Sequence, residues 1–321
     1  MKYTIKYKAH NTYEVSVAEA LWQFLIIPEN NDSQEVIRED FKNSLRVAVE
    51  NSINGYGFNT YRIHPKKEFS EIEFEAVFEV IKGSVNPYEQ VDMPNIEKDY
   101  LLIYSLEFQT EHEPFLRNTS LTTLPLTAGN IFEFDKGISI FENLKNLNNW
   151  IYSSFNYKSN VTTIETNLEE ILTTKEGVCQ DFTHIFCAVA RQYKIPTRYV
   201  SGYLNQGVGY VGDSQMHAWV ECFIPNKGWV GYDPTNNLLA ADNHIKVAHG
   251  KDYTDCPPIK GVLYTSGKNE TTYSVEVTKD DDNYETFSQT QNSDGILQVQ
   301  QMGSMKQVQK QQQQGKTVKS S

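Results

Sequence analysis

The sequence predicts an α+β fold in which a β-rich N-terminal domain precedes a helix packed on an antiparallel sheet. Two observations carry this. Residues up to about 110 alternate polar and apolar in runs rich in Tyr, Phe, Val and Ile, whereas from about residue 131 the apolar period becomes helical. After Pro196 the pattern returns to strands, so helices come first and strands second, unlike the strict alternation of a doubly wound sheet.

The first domain is assigned to residues 1–115. "KYTIKYKAH", "EFEAVFEVIKG" and "YLLIYSLEF" are its clearest predicted strands, and "SQEVIREDFKNSLRVAVENS" reads as a strand pair around a polar loop. Residues 116–130, with a proline and a polar middle, are expected to be a linker. A catalytic domain is placed at 131–270. In it, Ile138, Phe141, Leu144, Leu147 and Ile151 recur at helical spacing, and Asn167 is placed to cap a short helix that ends near "KEG". A further helix spans about 179–193, followed by the strands "TRYVSGYL", "MHAWVECFI" and "GWVGYD". A last alternating strand, 271–283, is expected to return to the N-terminal sheet. Residues 284–321 are Gln-rich and nearly free of aromatics, and are expected to be disordered, because they hold too little apolar surface to offset the entropy of ordering.

Composition narrows the function. The formal charge is −12 and no basic patch stands out, which argues against nucleic acid as a partner. The four cysteines form no CxxC pair, so a zinc site of the usual spacing is not expected, and no other cofactor is implied. No apolar run approaches the roughly 20 residues of a membrane span, and "MKYTIKYKAH" lacks the apolar stretch of a secretory signal. A cytoplasmic chain that does not engage membranes is the expectation.

The segment "GVCQDFTHIF" carries the first functional signal. Phe182, Ile185, Phe186 and Val189 form a buried stripe, and three residues before Phe182 stands Cys179, in the first turn of the helix. The free N–H groups and the positive dipole end of that turn favour a thiolate. Gly177 is read as allowing close backbone approach, as a substrate needs. Buried structural cysteines are common, and Cys187, mid-helix among apolar residues, is one by this reading. Cys179 therefore needs a base.

His184 is nearest in sequence but lies about 140° around the helix and roughly 7.5 Å along it, too far to serve, and is assigned to the less buried flank. His64, His112, His244 and His249 sit among polar or loop-like residues and read as ordinary surface. His217 differs. In "MHAWVECFI", Met216, Ala218, Val220, Cys222 and Ile224 make one wholly apolar face, while His217, Trp219, Glu221 and Phe223 make a face with polar functions. A carboxylate must then hold the imidazole's tautomer. Asp233 is a candidate if Phe223 opposes Trp229 in the hairpin, because Trp219 then opposes Asp233 and His217 is its diagonal neighbour. A one-residue shift turns Asp233 to the core, so this arrangement requires a five-residue loop or a bulge. As an Asp-Pro pair, Asp233 is also an ordinary turn starter.

Together these segments, in the order Cys, His, Asp, resemble the transglutaminase-like superfamily, and most nearly the bacterial transglutaminase-like proteins described as cysteine proteases, which carry a β-rich N-terminal domain. "MKYTIKYKAHNTYEVSVAEALWQFLIIP" and "HIKVAHGKDYTDCPPIKGVLYTSG" are similar to segments of those proteins, so the resemblance spans about residues 1–280. It implies a papain-like core, with Cys179 as nucleophile, His217 as general base and acid, and Asp233 orienting the histidine. Gln180 and Asp181 match the same block, with Asp181 read as a first-turn carboxylate of structural role. The backbone N–H of Cys179 is the first oxyanion donor expected, and Trp219 and Trp150 are weak candidates for a second.

The activity this implies is cleavage of an amide through an acyl thioester on Cys179, with a peptide or protein substrate. Hydrolysis is favoured over transfer to an amine, because the chain lacks the extra domains of the large eukaryotic crosslinking enzymes. Two other classes compete: a binding module that keeps the scaffold without the chemistry, and a metal-dependent hydrolase using His217, Glu221 and Asp233.

Overall fold

The computed structural model describes residues 1–89, 95–159, 161–163, 166–205, 210–211 and 215–280. The expected disorder at 284–321 therefore lies outside the described residues. The chain divides into two compact units that interleave in sequence. One comprises residues 2–27, 36–80 and those from 258 on; the other comprises Met1, 28–35 and 81–257.

In the first unit, β1 (Lys2–Val17), β2 (Ala20–Phe24), β3 (Gln34–Asn43), β4 (Val49–Ile53), β5 (Asn59–Ile63) and β6 (Phe69–Lys82) come from the N-terminal stretch. Strict alternation specifies their register. Tyr3, Ile5 and Tyr7 of β1 and Ile72, Phe74, Phe78 and Val80 of β6 are all buried, and a one-residue slip would turn every one of them to solvent. Phe74 packs on both Trp22 and Phe24 of β2, at ring-centroid distances of 5.4 and 4.7 Å, so both sheets of the unit share one aromatic core.

The second unit holds the helices. The last predicted strand of the N-terminal domain is corrected here: α1 (Ile96–Ile103) and α2 (Leu106–Glu111) occupy it and α3 (Glu113–Leu116) follows, while the boundary between the units falls near residue 81 rather than 115, so that residues 116–130 lie within the second unit. Caps override the β-prone composition of "YLLIYSLEF". The Asn95 side chain accepts from the Lys98 N–H at 3.0 Å and that of Ser105 from the Phe108 N–H at 3.3 Å, each satisfying an otherwise orphaned donor.

Next is α4 (Ile140–Ser154), opened by Ser139 with Glu142 three residues on and burying Ile140, Leu144, Leu147 and Ile151. A two-residue strand, β7 (Asn156–Tyr157), runs parallel to β8 (Glu176–Gly177). Between them lies α5 (Leu168–Thr174), capped by Asn167 and ended by Lys175 in the left-handed region at φ 56°.

α6 (Cys179–Gln192) is buried on every side from Gln180 to Arg191, not only along the expected stripe. The Arg191 guanidinium donates to the carbonyls of Phe115, Thr197 and Lys251 and to the Thr122 hydroxyl, at 2.6 to 3.2 Å. The helix ends where Lys194 turns left-handed at φ 60° and the Ile195 N–H returns to the Ala190 carbonyl at 3.1 Å.

Behind α6 stands an antiparallel sheet of β9 (Thr197–Leu204), β10 (His217–Ile224), β11 (Gly228–Asp233), β12 (Leu238–Leu239) and β13 (His244–Gly250), in the order β12-β11-β10-β9-β13. β12 and β13 are opposite edges, so the chain crosses one face of the sheet between Leu239 and His244. Two glycines make room for that crossing. A Cβ on Gly231 would run into Ala240, and one on Gly202 into the Ile245 carbonyl.

After residue 257 the chain re-enters the first unit. β14 (Ile259–Leu263) pairs with β2, and β15 (Asn269–Lys279) runs antiparallel to β1 from Tyr3↔Lys279 to Tyr13↔Asn269. The sheets of this unit are β15-β1-β6-β3 and β14-β2-β5-β4. No helix among the described residues is long and apolar enough to cross a membrane.

Candidate active site

Cys179 is the first residue of α6. Its cap, Val178, is extended and offers no side-chain acceptor. Asp181 supplies the missing order from inside the helix: one carboxylate oxygen accepts from the Val178 N–H at 2.8 Å and from the Thr162 hydroxyl at 2.6 Å. Burial pushes this carboxyl up, to about 6. Gly177 has a different reason from the one expected, since a Cβ there would lie 2.9 Å from the Asp181 carboxylate. The glycine makes room for the carboxylate that locks the first turn.

The four thiols differ in access. Cys187, Cys222 and Cys256 are fully buried, whereas Cys179 is half-buried. Burial pushes the Cys187 thiol up to about 11 and the Cys222 thiol higher still, so both are inert as nucleophiles.

The hairpin register is the one that puts His217 and Asp233 on one face. Phe223 opposes Trp229, and the five residues 224–228 join them, with Ile224 and Gly228 themselves paired. Asn226 and Gly228 supply the positive φ of the turn, 59° and 79°. His217 Nε2 then lies 2.8 Å from Asp233 Oδ2, and both side chains are completely buried.

Asp233 is saturated with donors. Oδ1 accepts from the backbone N–H groups of Thr235 and Asn236 at 3.0 and 3.2 Å, while Oδ2 also accepts from the Asn236 amide at 2.9 Å and from His244 Nε2 at 3.3 Å. The Asp-Pro turn and the histidine contact are thus one arrangement: the turn's N–H groups fix the carboxylate that faces the ring. Burial opposes charge on Asp233, but the histidines, His217 first, hold its carboxyl well below the usual carboxylate range.

Burial likewise opposes charge on His217, yet the Asp233 carboxylate outweighs it and the Cys179 thiol adds to it, raising the imidazole to about 10. Asp233 occupies Nε2. Nδ1 is buried and makes no well-aligned hydrogen bond, so it is the nitrogen left for the thiol. The arrangement can pass a proton from sulfur to Nδ1 while Nε2 stays anchored.

Several other expectations change. His184 is completely buried, accepts from the Tyr253 N–H at 3.2 Å, and is held down to about 4 by burial. His112 is buried and stacks on Phe108 with ring centroids 4.3 Å apart. His249 belongs to β13 rather than to a loop. His244 is not surface either: it is buried against Asp233. Sequence position hid it, because it arrives by the crossing from the far edge of the sheet. Asn236 was also missed, although the Asn two residues after an Asp-Pro pair was the available signal.

The metal alternative loses its third ligand. Glu221 pairs with Arg198 at 2.5 Å and with Lys246 at 2.9 Å, cations that hold its carboxyl down to about 2 against burial. The Trp219 indole lies between Gly202 and Gly231, and its Nε1 is buried without a hydrogen bond. Sealed there, it cannot meet a substrate oxygen. Trp150 packs on Phe132 and Phe155. Both candidates for a second oxyanion donor are therefore packing residues. A pocket of about 340 Å³ is lined by Trp219, Glu221, His244, Lys246, Lys82 and Arg198 among others, and so lies behind Asp233 rather than at the thiol.

Residues 133–234, which run from just before α4 to just past Asp233, match the model of the transglutaminase-like superfamily. An uncharacterized protein of Mycobacterium tuberculosis is 38% identical over 139 residues, covering 40% of this chain and 44% of the relative. The chain thus spans less than half the length of such relatives. A protein-glutamine gamma-glutamyltransferase of Pseudomonas aeruginosa is 38% identical over 68 residues, 19% of this chain and 10% of that one. Among solved structures, a "Putative Cysteine Protease" from Cytophaga hutchinsonii superposes with a TM-score of 0.69 at 19% identity, over 91% of this chain and 95% of the other, a likeness of fold.

Proposed function

We propose that the transglutaminase-like domain formed by residues 133–234 is a cysteine-dependent amide-bond enzyme acting on a peptide or protein. Cys179 is the nucleophile, His217 the general base and acid, and Asp233 the residue that orients the imidazole. One observation carries the reading: His217 is held through Nε2 by Asp233 and acted on by the thiol of Cys179, the half-buried member of four cysteines.

In this reading the Cys179 proton has already passed to His217 Nδ1, as the raised basicity of the ring implies, and the thiolate sulfur bonds to the amide carbon. The tetrahedral oxyanion collapses, the C–N bond breaks, and the same nitrogen of His217 returns the proton to the leaving amine. The acyl group stays on sulfur as a thioester. Water, or a second amine, then gives a proton to His217 and attacks the thioester, restoring the thiol. The Cys179 N–H, at the first position of a helix where no intrahelical acceptor exists, is the natural donor to the oxyanion.

Hydrolysis is the outcome proposed. The Pseudomonas relative's name motivates transfer to an amine as the second reading. The test is to incubate the protein with a mixed peptide pool, with and without a labelled primary amine, and to follow products and the mass of Cys179. A thioester on Cys179 that decays to free acid supports hydrolysis, and amine incorporation supports transfer. Products that persist unchanged in Cys179→Ala would leave the scaffold as a binding module.

A further inference from the structure

We infer that His244 is a positioning residue for Asp233, so that the Cys179–His217 pair depends on a fourth side chain brought in from the opposite edge of the sheet. The inference rests on the reading of Cys179, His217 and Asp233 given above.

The hydrogen bonds define the role of His244. Its Nδ1 accepts from the Ala241 N–H at 3.4 Å, which leaves the proton on Nε2, 3.3 Å from Asp233 Oδ2. It therefore donates to the same carboxylate oxygen that holds His217. Burial lowers its basicity, the Asp233 carboxylate opposes this, and the His217 and Lys82 charges add to the lowering. The ring thus stays neutral and remains a donor, where an imidazolium would give up the Ala241 contact.

The surroundings fix the ring in place. The Trp219 indole meets it edge-on, 5.2 Å away at 74°. The crossing that carries it depends on Gly202 and Gly231, which flank the same indole. Three donors meet at Oδ2, from His217, Asn236 and His244. Without the third, that oxygen has one fewer restraint, and the plane of His217 follows it. Partners of this kind, one shell behind a reacting group, are worth about 10- to 100-fold in comparable metal sites.

Two amide variants separate positioning from packing. Gln at 244 reaches the place of Nε2 and can donate to Asp233. Asn is shorter, reaches only the place of Nδ1, and can satisfy the Ala241 N–H alone. The readout is the rate of Cys179 alkylation by iodoacetamide, followed by intact mass from pH 5 to 10, together with His217→Ala. At pH 6 we expect His244→Asn to be about tenfold slower than the parent and His244→Gln within about threefold, with all rates converging at pH 10 where an ordinary thiol is ionised. Asn and Gln variants that behave alike, whether both slow or both unchanged, overturn the inference. If His217→Ala is not slowed at pH 6, the reading of the site fails and this inference with it. If it is slowed while the two amide variants agree, this inference alone falls.

Discussion

His217 Nε2 and Asp233 Oδ2 stand 2.8 Å apart with neither side chain exposed. A buried imidazole and a buried carboxylate are each costly alone and tolerable only together, since removing one partner leaves an uncompensated charge. The contact therefore constrains both chemistry and stability.

Replacing Asp233 by Asn tests the chemical half. The Thr235 and Asn236 N–H groups keep the amide oxygen on their side, so the new NH2 faces His217 and forces the proton onto Nδ1. That tautomer cannot accept the thiol proton. Acylation of Cys179, followed by mass spectrometry at pH 7, is expected to fall by about 10⁴-fold, the effect of the same change in a serine-protease triad. A loss of less than tenfold would remove Asp233 from the mechanism.

Differential burial of the thiols gives a second prediction. Under native conditions iodoacetamide should add one label, on Cys179, because Cys187, Cys222 and Cys256 have no exposure. In denaturant four labels are expected. Native labelling of Cys187 ahead of Cys179 would contradict the arrangement of α6.

Two histidines of the second unit should make stability depend on pH in opposite directions. His184 is held to about 4 in the fold, below its unfolded value of about 6.5. Its contribution is whole above 6.5 and is lost as pH falls from there toward 4, where the unfolded chain binds the extra proton. His217 is raised to about 10. Its contribution is whole below 6.5 and is lost as pH rises toward 10. Thermal melts from pH 4 to 10 should show the acid decline flattened in His184→Gln and the alkaline decline flattened in His217→Gln. A parent and variant pair with parallel curves would refute the corresponding shift.

Glycines provide a test of the crossing segment. Ala at Gly202 would place its Cβ on the Ile245 carbonyl and 2.5 Å from the Trp219 ring, and neither backbone nor buried indole can retreat. Gly202→Ala is expected to cost about 3 kcal/mol in urea unfolding. Ala at Gly55, where nothing lies within 4 Å, should be neutral or stabilise by about 0.4–1 kcal/mol. Equal effects at the two positions would mean that the crossing is not packed as described.

Local sequence carried the Cys179 helix, the His217 strand and the central strands of the first unit's longer sheet, because each is written in local periods: 3.6 for Phe182, Ile185, Phe186 and Val189, and two for β1, β6 and β10. The cap at Asn167 was legible for the same reason. Tertiary structure decided what depends on distant chain segments. Composition alone made strands of 100–108, where two side-chain caps tip a marginal segment into helix. One residue of register separated an Asp233 facing His217 from one facing the core, and only the closed hairpin selects between them. His244 was indistinguishable from a surface histidine, because nothing local records that the chain crosses the sheet over Gly202 and Gly231. Hydrophobic periodicity is a property of neighbours along the chain, whereas the partners of a buried charge are a property of the packed molecule.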